Sequence, residues 1–180
     1  MKIKIAVVGC GAAGGVFAGL LSLSGNDVFA VEHDELHASA INEKGLILNG
    51  SKRKRKIFFP VLKIGTSEPV DLLILAVKAA DLADAARQSI PMLGRNTMVA
   101  TIQDELESAK VVTETMGTSK IAIGNISEFN ASRRAPGNIQ YDSLRPINFK
   151  GHGNFSHERI NSLVHLLQAA GFDAKAVRDI

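Results

Sequence analysis

The chain has 180 residues, 46% of them hydrophobic and 22% charged, with a net charge of +3; this length suits one domain and buries roughly 70% of the surface an unfolded chain exposes. A single cysteine excludes an intramolecular disulfide framework, and one Tyr with no Trp leaves almost no stacking platform for nucleic-acid bases. The apolar runs fall short of the roughly 20 residues that span a bilayer, so the expectation is a cytoplasmic protein that engages neither membrane nor nucleic acid. MKIK before an apolar stretch has the outline of a signal peptide, but five glycines between Gly9 and Gly19 would break its short hydrophobic helix.

In chain order, Ile3–Val8 is apolar and β-branched and predicts a buried parallel strand. A helix is predicted from Ala12 to Leu23, stopped by Gly25 and Asn26. Asp27–Val31 predicts a second strand, and Asp34 opens a helix that reaches Lys44. Gly45–Asn49 and Lys56–Leu62 predict two strands joined at Gly50-Ser51, which sets the run SKRKRK on a solvated hairpin edge. Next come a strand at Asp71–Val77, a helix at Leu82–Ser89 limited by Pro91, and a strand at Thr97–Ile102. A helix at Glu105–Met116 and a strand at Lys120–Ile126 complete the alternation. Beyond Glu128, two short polar strands flank Pro136-Gly137, a helix runs from Ser156 to Ala170, and a last strand covers Phe172–Val177. Strands and helices alternating at these lengths imply βαβ units. The predicted fold is α/β, a Rossmann-type doubly wound, mainly parallel sheet with a short antiparallel extension, in one domain over residues 1–180.

The chemistry-bearing signal is VVGCGAAGG, a G-x-G-x-x-G formed by Gly9, Gly11 and Gly14 between a predicted strand and a predicted helix. In that context Gly9 permits the tight turn, and Gly11 lets the backbone approach a pyrophosphate. Gly14 lets helix and strand pack closely, while the helix start at Ala12 and Ala13 faces the negative charge. Cys10, between the glycines, occupies a position that mainly needs a small side chain. Glu32 ends the second strand, where an acid hydrogen-bonds the ribose hydroxyls and repels a 2′-phosphate, which favours NAD over NADP. His33 offsets that preference if its imidazole meets phosphate, and is otherwise an exposed loop residue. Lys78 and Gln103-Asp104 follow the C-terminal ends of predicted parallel strands, where ligands of open α/β sheets bind. The five histidines show no metal-ligand spacing.

In IAVVGCGAAGGVFAGLLSLSGNDV, AINEKGLIL, DLLILAVKAADLADA, VATIQDE, RRAPGNI and QAAGFDA, in this order, the chain resembles the N-terminal domain of the ketopantoate reductase (2-dehydropantoate 2-reductase) family. The resemblance implies reduction of a 2-oxo acid by a nicotinamide cofactor in pantothenate biosynthesis. It puts the pyrophosphate on Gly9, Gly11 and Gly14, and Lys78 at the cleft of cofactor and substrate. The sequence departs from the family's pattern at three places. Glu32-His33 stands where an arginine usually holds the 2′-phosphate, Asp104 where an asparagine meets nicotinamide and substrate, and Asp81 where a glutamine is common. The family's proton-donating lysine lies in a helical C-terminal domain that the chain is expected to lack. The resulting expectation is a domain that binds NAD or NADP and is inactive alone. It would act on a small 2-oxo acid if a catalytic domain were supplied, and the face left exposed would suit a homodimer. A non-catalytic dinucleotide sensor and a methyltransferase are the competing readings.

Overall fold

The computed structural model describes residues 2–103, 106–142, 146–153 and 155–177. Its first strand, β1 (Lys4–Val8), carries apolar side chains on both faces, as a strand covered on both sides requires. Ile5 and Val7 point into one core and Ala6 and Val8 into another, across the sheet. After β1 the chain runs through α1 (Ala12–Leu23), β2 (Asp27–Val31) and α2 (Glu35–Lys44). It continues through β3 (Leu46–Asn49), β4 (Lys54–Ile57), β5 (Val61–Leu62) and β6 (Val70–Leu75). Then come α3 (Leu82–Ser89), β7 (Leu93–Thr101), α4 (Leu106–Met116) and β8 (Ile121–Asn125). The last elements are β9 (Ala131–Ala135), β10 (Asn138–Tyr141), β11 (Ile147–Gly151), α5 (His157–Ala169) and β12 (Ala174–Ala176).

Eight strands form the main sheet in the order β12-β11-β8-β7-β6-β1-β2-β5. From β8 to β5 every neighbouring pair is parallel, and β11 runs antiparallel to β8. From β1 the chain winds outward to β2, then returns to place β6 on the other side of β1. Between β1 and β6 the direction of winding reverses, which opens a crevice at the carboxyl ends of the strands.

The antiparallel portion is larger than the sequence suggests. A separate four-stranded sheet, β4-β3-β10-β9, pairs β3 with β4 and β10 with β9 antiparallel, and joins the two hairpins through the parallel pair β10–β3. The predicted strand Lys56–Leu62 is therefore two. Lys54–Ile57 belongs to the small sheet, and Val61–Leu62 crosses to pair with β2. Pro60, which lacks a backbone donor, stands between them. Strand β11 has no counterpart in the sequence reading; its buried Ile147 and Phe149, two residues apart, are the period-2 signal that was available.

Helix α1 is the layer shared by both sheets. A Cβ on Gly15 would meet the Ile139 side chain at 2.3 Å, and one on Gly19 would meet Leu48 at 2.8 Å and Ile57 at 3.0 Å. The glycine run, which argues against a leader helix, thus lets α1 seat tightly beneath the small sheet.

Candidate dinucleotide cleft

The crevice beside β1 is a cleft of about 330 Å³, within the range of small-molecule sites. Gly9, Gly11 and Ala12 form its floor, Glu32, His33 and Asp34 one wall, and Ala76, Val77 and Lys78 the other, with Asp81 and Arg133 also lining it. A larger groove of about 620 Å³, between the end of α1, β4 and the end of α5, holds none of the candidate dinucleotide-site residues; its Arg55 and Lys56 belong to the basic run SKRKRK.

The three glycines of the loop have different physical reasons. Gly9 has φ +88°, in the left-handed region, and donates its N–H to Val31 O at 2.9 Å. A Cβ on Gly14 would lie 1.8 Å from Gly9 O and 3.0 Å from Ala76 Cβ, so only glycine lets α1 approach the ends of β1 and β6. At Gly11 φ is an ordinary −64°, and a Cβ would meet nothing within 4 Å. Packing within the chain does not account for Gly11, whereas a ligand lying against the backbone would. Gly11 is also the N-cap of α1, with no side chain bonded to the helix start and no acidic residue in the first turn. The first-turn amides, which have no partner inside a helix, keep their partial positive charge beside the cleft. Ala13 packs against the core, and Gly14 is buried.

Glu32 is 6% exposed, and its carboxylate is engaged on both oxygens. Oε2 accepts the Cys10 N–H and Oε1 the Asp34 N–H, each at 3.0 Å. His33, beside it and largely exposed, holds Nδ1 3.4 Å from Oε1. Asp34 caps α2, Oδ1 accepting the His37 N–H at 3.1 Å, and its Oδ2 accepts from Arg133 at 2.7 Å. Those two contacts, the backbone amide first and the guanidinium second, hold the Asp34 carboxyl below the usual carboxylate range. Burial pushes the Cys10 thiol far above its ordinary range, and the negative charge of Glu32 adds to the effect.

Two participants escaped the sequence reading. His37 is fully buried; its Nδ1 accepts the Gly137 N–H at 3.0 Å and its Nε2 lies 2.8 Å from Cys10 O. Nδ1 must therefore be unprotonated, and the neutral ring donates from Nε2 to the carbonyl. The Cys10 residue is gripped at both polar groups, N–H by Glu32 and C=O by His37. Arg133 arrives from β9 in the small sheet, 99 residues from Asp34. A lone helical histidine and one arginine of a basic pair carry no local signal of these roles.

Lys78 is exposed at the start of the short 3-10 turn Ala79–Asp81, and no ion pair engages its ammonium among the described residues. Gln103 reaches the same segment from the end of β7, its amide donating to Val77 O and to Leu75 O. Its Oε1 is buried with no partner among the described residues. Asp104 lies outside the described residues. Among those described, no cluster of three His, Cys, Asp or Glu side chains offers a metal site, and no helix is long and apolar enough to cross a membrane.

A doubly wound sheet with a glycine turn, an uncapped helix start and an acid at the end of the second strand defines the class: a Rossmann-like NAD(P)-binding domain. Residues 5–154 match the ketopantoate reductase PanE/ApbA family, and the chain belongs to that family. It is 33% identical over 139 residues to the 2-dehydropantoate 2-reductase of Pyrococcus abyssi, which covers 77% of this chain and 44% of that protein. Identity to the Streptococcus pyogenes enzyme of the same name (serotype M3, strain MGAS315) is 25% over 169 residues, 93% of this chain and 54% of that one. The chain thus spans about half the length of the curated relatives it matches. In fold it also matches D-mandelate dehydrogenase, solved in a ternary complex with NADH and anilino(oxo)acetate. That match has a TM-score of 0.88 at 22% identity, covering 97% of this chain and 57% of the other.

Proposed function

We propose that the chain is the cofactor-binding half of an oxidoreductase that reduces a 2-oxo acid such as 2-dehydropantoate, with NAD(H) favoured over NADP(H). The observation that carries this reading is Gly11, a glycine with no packing reason, at an uncapped helix start in a cleft. The amides of Ala12 and Ala13 hold the pyrophosphate, and Gly9 and Gly14 fix the loop that presents them. Glu32 faces the ribose hydroxyls with the acceptor capacity its two backbone amides leave over. Lys78 supplies positive charge to cofactor phosphate or substrate carboxylate, and Gln103 steadies the segment that carries it. In sequence, Asp104 takes the place of the asparagine that meets the nicotinamide in the family's pattern. When bound, the reduced nicotinamide supplies the hydride. The same fold accommodates NADH in D-mandelate dehydrogenase.

Reduction also needs an acid for the developing alkoxide and a cleft closed to water. The chain spans about half the length of its curated relatives, and on this reading these 180 residues alone bind cofactor with little turnover. Calorimetry of this chain with NADH, NADPH and S-adenosylmethionine tests the binding reading; binding of S-adenosylmethionine in preference to either dinucleotide would overturn it. NADH oxidation with 2-dehydropantoate tests the rest, and robust turnover by the 180-residue chain would refute the inactive-alone part.

A second reading, a non-catalytic dinucleotide sensor, draws on Asp104, whose anion would repel an incoming carboxylate. It requires a partner protein whose affinity differs between the NAD+ and NADH complexes, and equal retention in both states would remove its basis.

A further inference from the structure

The wall of the cleft beyond β2 contains a contact between the two sheets. Arg133 on β9 donates to Asp34 at 2.7 Å, and both line the cleft next to Glu32 and His33. The Arg133 side chain is 41% exposed and that of Asp34 32%, so both reach solvent on the cleft side. A guanidinium carries five N–H donors, and among the described residues that of Arg133 makes one contact, to Asp34. A second cation approaching the same loop, Lys63, is likewise paired, with Glu35 in the first turn of α2.

We propose that Asp34 and Arg133 form a cofactor selector: Asp34 holds the guanidinium as its own counter-ion, so the cleft disfavours a ribose 2′-phosphate. The inference rests on reading the cleft as a dinucleotide site. At the end of the second strand of such folds, an acid meets the ribose hydroxyls and a nearby arginine accommodates a 2′-phosphate. Here the arginine is present but delivered from another sheet, and a carboxylate already occupies it. A phosphate reaching Arg133 must sit against Asp34, with Glu32 close behind. Glu32 keeps its negative charge and spare lone pairs although both oxygens accept backbone amides, but it holds no cation. The pair therefore adds to the selectivity of that acid by occupying the arginine a phosphate would seek.

The dual role of Asp34 makes a clean test available. Asp34→Asn keeps an oxygen for the His37 N–H cap and removes the charge. With its single oxygen on the cap, the new amide turns N–H groups toward Arg133 and releases the guanidinium. The Kd values of NADH and NADPH are measured by calorimetry on the wild-type chain, Asp34→Asn, and Asp34→Asn combined with Arg133→Gln. Thermal melting is recorded for each. Asp34→Asn should tighten NADPH binding about tenfold relative to NADH, the scale of one charge-assisted contact, and the double variant should return the ratio to the wild-type side. If Asp34→Asn does not fold, Asp34→Ser keeps the capping oxygen without the charge and takes its place. An unchanged ratio, a gain that survives loss of Arg133, or a wild-type chain that already prefers NADPH would overturn the proposal. Failure of the wild-type chain to bind either dinucleotide would instead overturn the reading of the cleft.

Discussion

His37 and Gly137 lie 100 residues apart and are joined by a buried hydrogen bond, the Gly137 N–H donating to the imidazole at 3.0 Å. The other face of the same ring holds the Cys10 carbonyl. One side chain thus ties the hairpin turn of the small sheet to the middle of the glycine loop. His37→Ala leaves a buried N–H and a buried C=O without partners, each costing about 1–3 kcal/mol. The expected loss is about 2–6 kcal/mol of unfolding free energy, measured by denaturant titration, with weaker NADH binding in the fraction that remains folded.

The glycines separate folding from binding. Gly11→Ala adds a methyl group to open space at an ordinary φ and exchanges one N-cap residue for a poorer one, so the stability cost should stay within about 1 kcal/mol. Dinucleotide affinity should nevertheless drop by about tenfold or more, because the backbone no longer meets the pyrophosphate. Gly14→Ala should instead destabilise by about 2–4 kcal/mol, since its methyl group collides with Gly9 O. Thermal melting and calorimetry on the two variants check both halves, and a Gly11→Ala destabilised as much as Gly14→Ala would contradict the structure.

Cys10 should be unreactive in the native chain and labelled by a thiol reagent only on unfolding. Its folded-state thiol is held protonated by burial and by Glu32, while the unfolded thiol titrates near its ordinary pKa of about 8.5. Below about pH 8.5 both states keep the proton and stability is unaffected. As pH rises beyond that, only the unfolded state releases it, so stability falls by up to about 1.4 kcal/mol per pH unit. Denaturant midpoints between pH 8 and 10 should show that slope, and Cys10→Ala should lack this contribution to it.

Gln103 steadies the Lys78 segment through donors alone. Gln103→Glu keeps the shape but turns acceptors toward the Val77 and Leu75 carbonyls, and should cost more than Gln103→Leu, which removes the donors without adding charge. A loss of about 1–3 kcal/mol is expected for Gln103→Glu, with faster amide exchange in residues 76–82. Equal effects of the two variants would mean that packing, not hydrogen bonding, keeps Gln103 in place.

What the sequence made legible was what repeats locally. A continuous apolar run ending at Gly9 marked β1, a second continuous apolar run marked β6, and helical spacing with glycine stops marked α1 and α5. The tight turn at Gly9 and the close helix–strand approach at Gly14 followed from spacing because each concerns only the turn itself. Glu32 was legible as a position, but its two backbone partners were not, since they depend on how the turn after β1 meets the start of α2. His37 and Arg133 escaped for a stronger reason. Their partners come from pairing β10 with β3, a long-range contact with no local trace. The small sheet was underestimated on the same ground: a hairpin announces its turn, not the second hairpin it will pair with.

The register of that sheet also sets an order in time. β10 joins β3 with Asn138 beside Ile47, so the sheet cannot close until the intervening chain exists. A nascent chain that ends after β8 already holds Gly9, Gly11 and Gly14. It has neither the Gly137 amide for His37 nor the guanidinium for Asp34. Non-local pairings of this kind pay their loop-closure entropy before any contact rewards them. On the ribosome, the glycine loop is made early and braced only once β9 and β10 follow, so a truncation near residue 130 would leave a recognisable motif without the buttress that gives it shape.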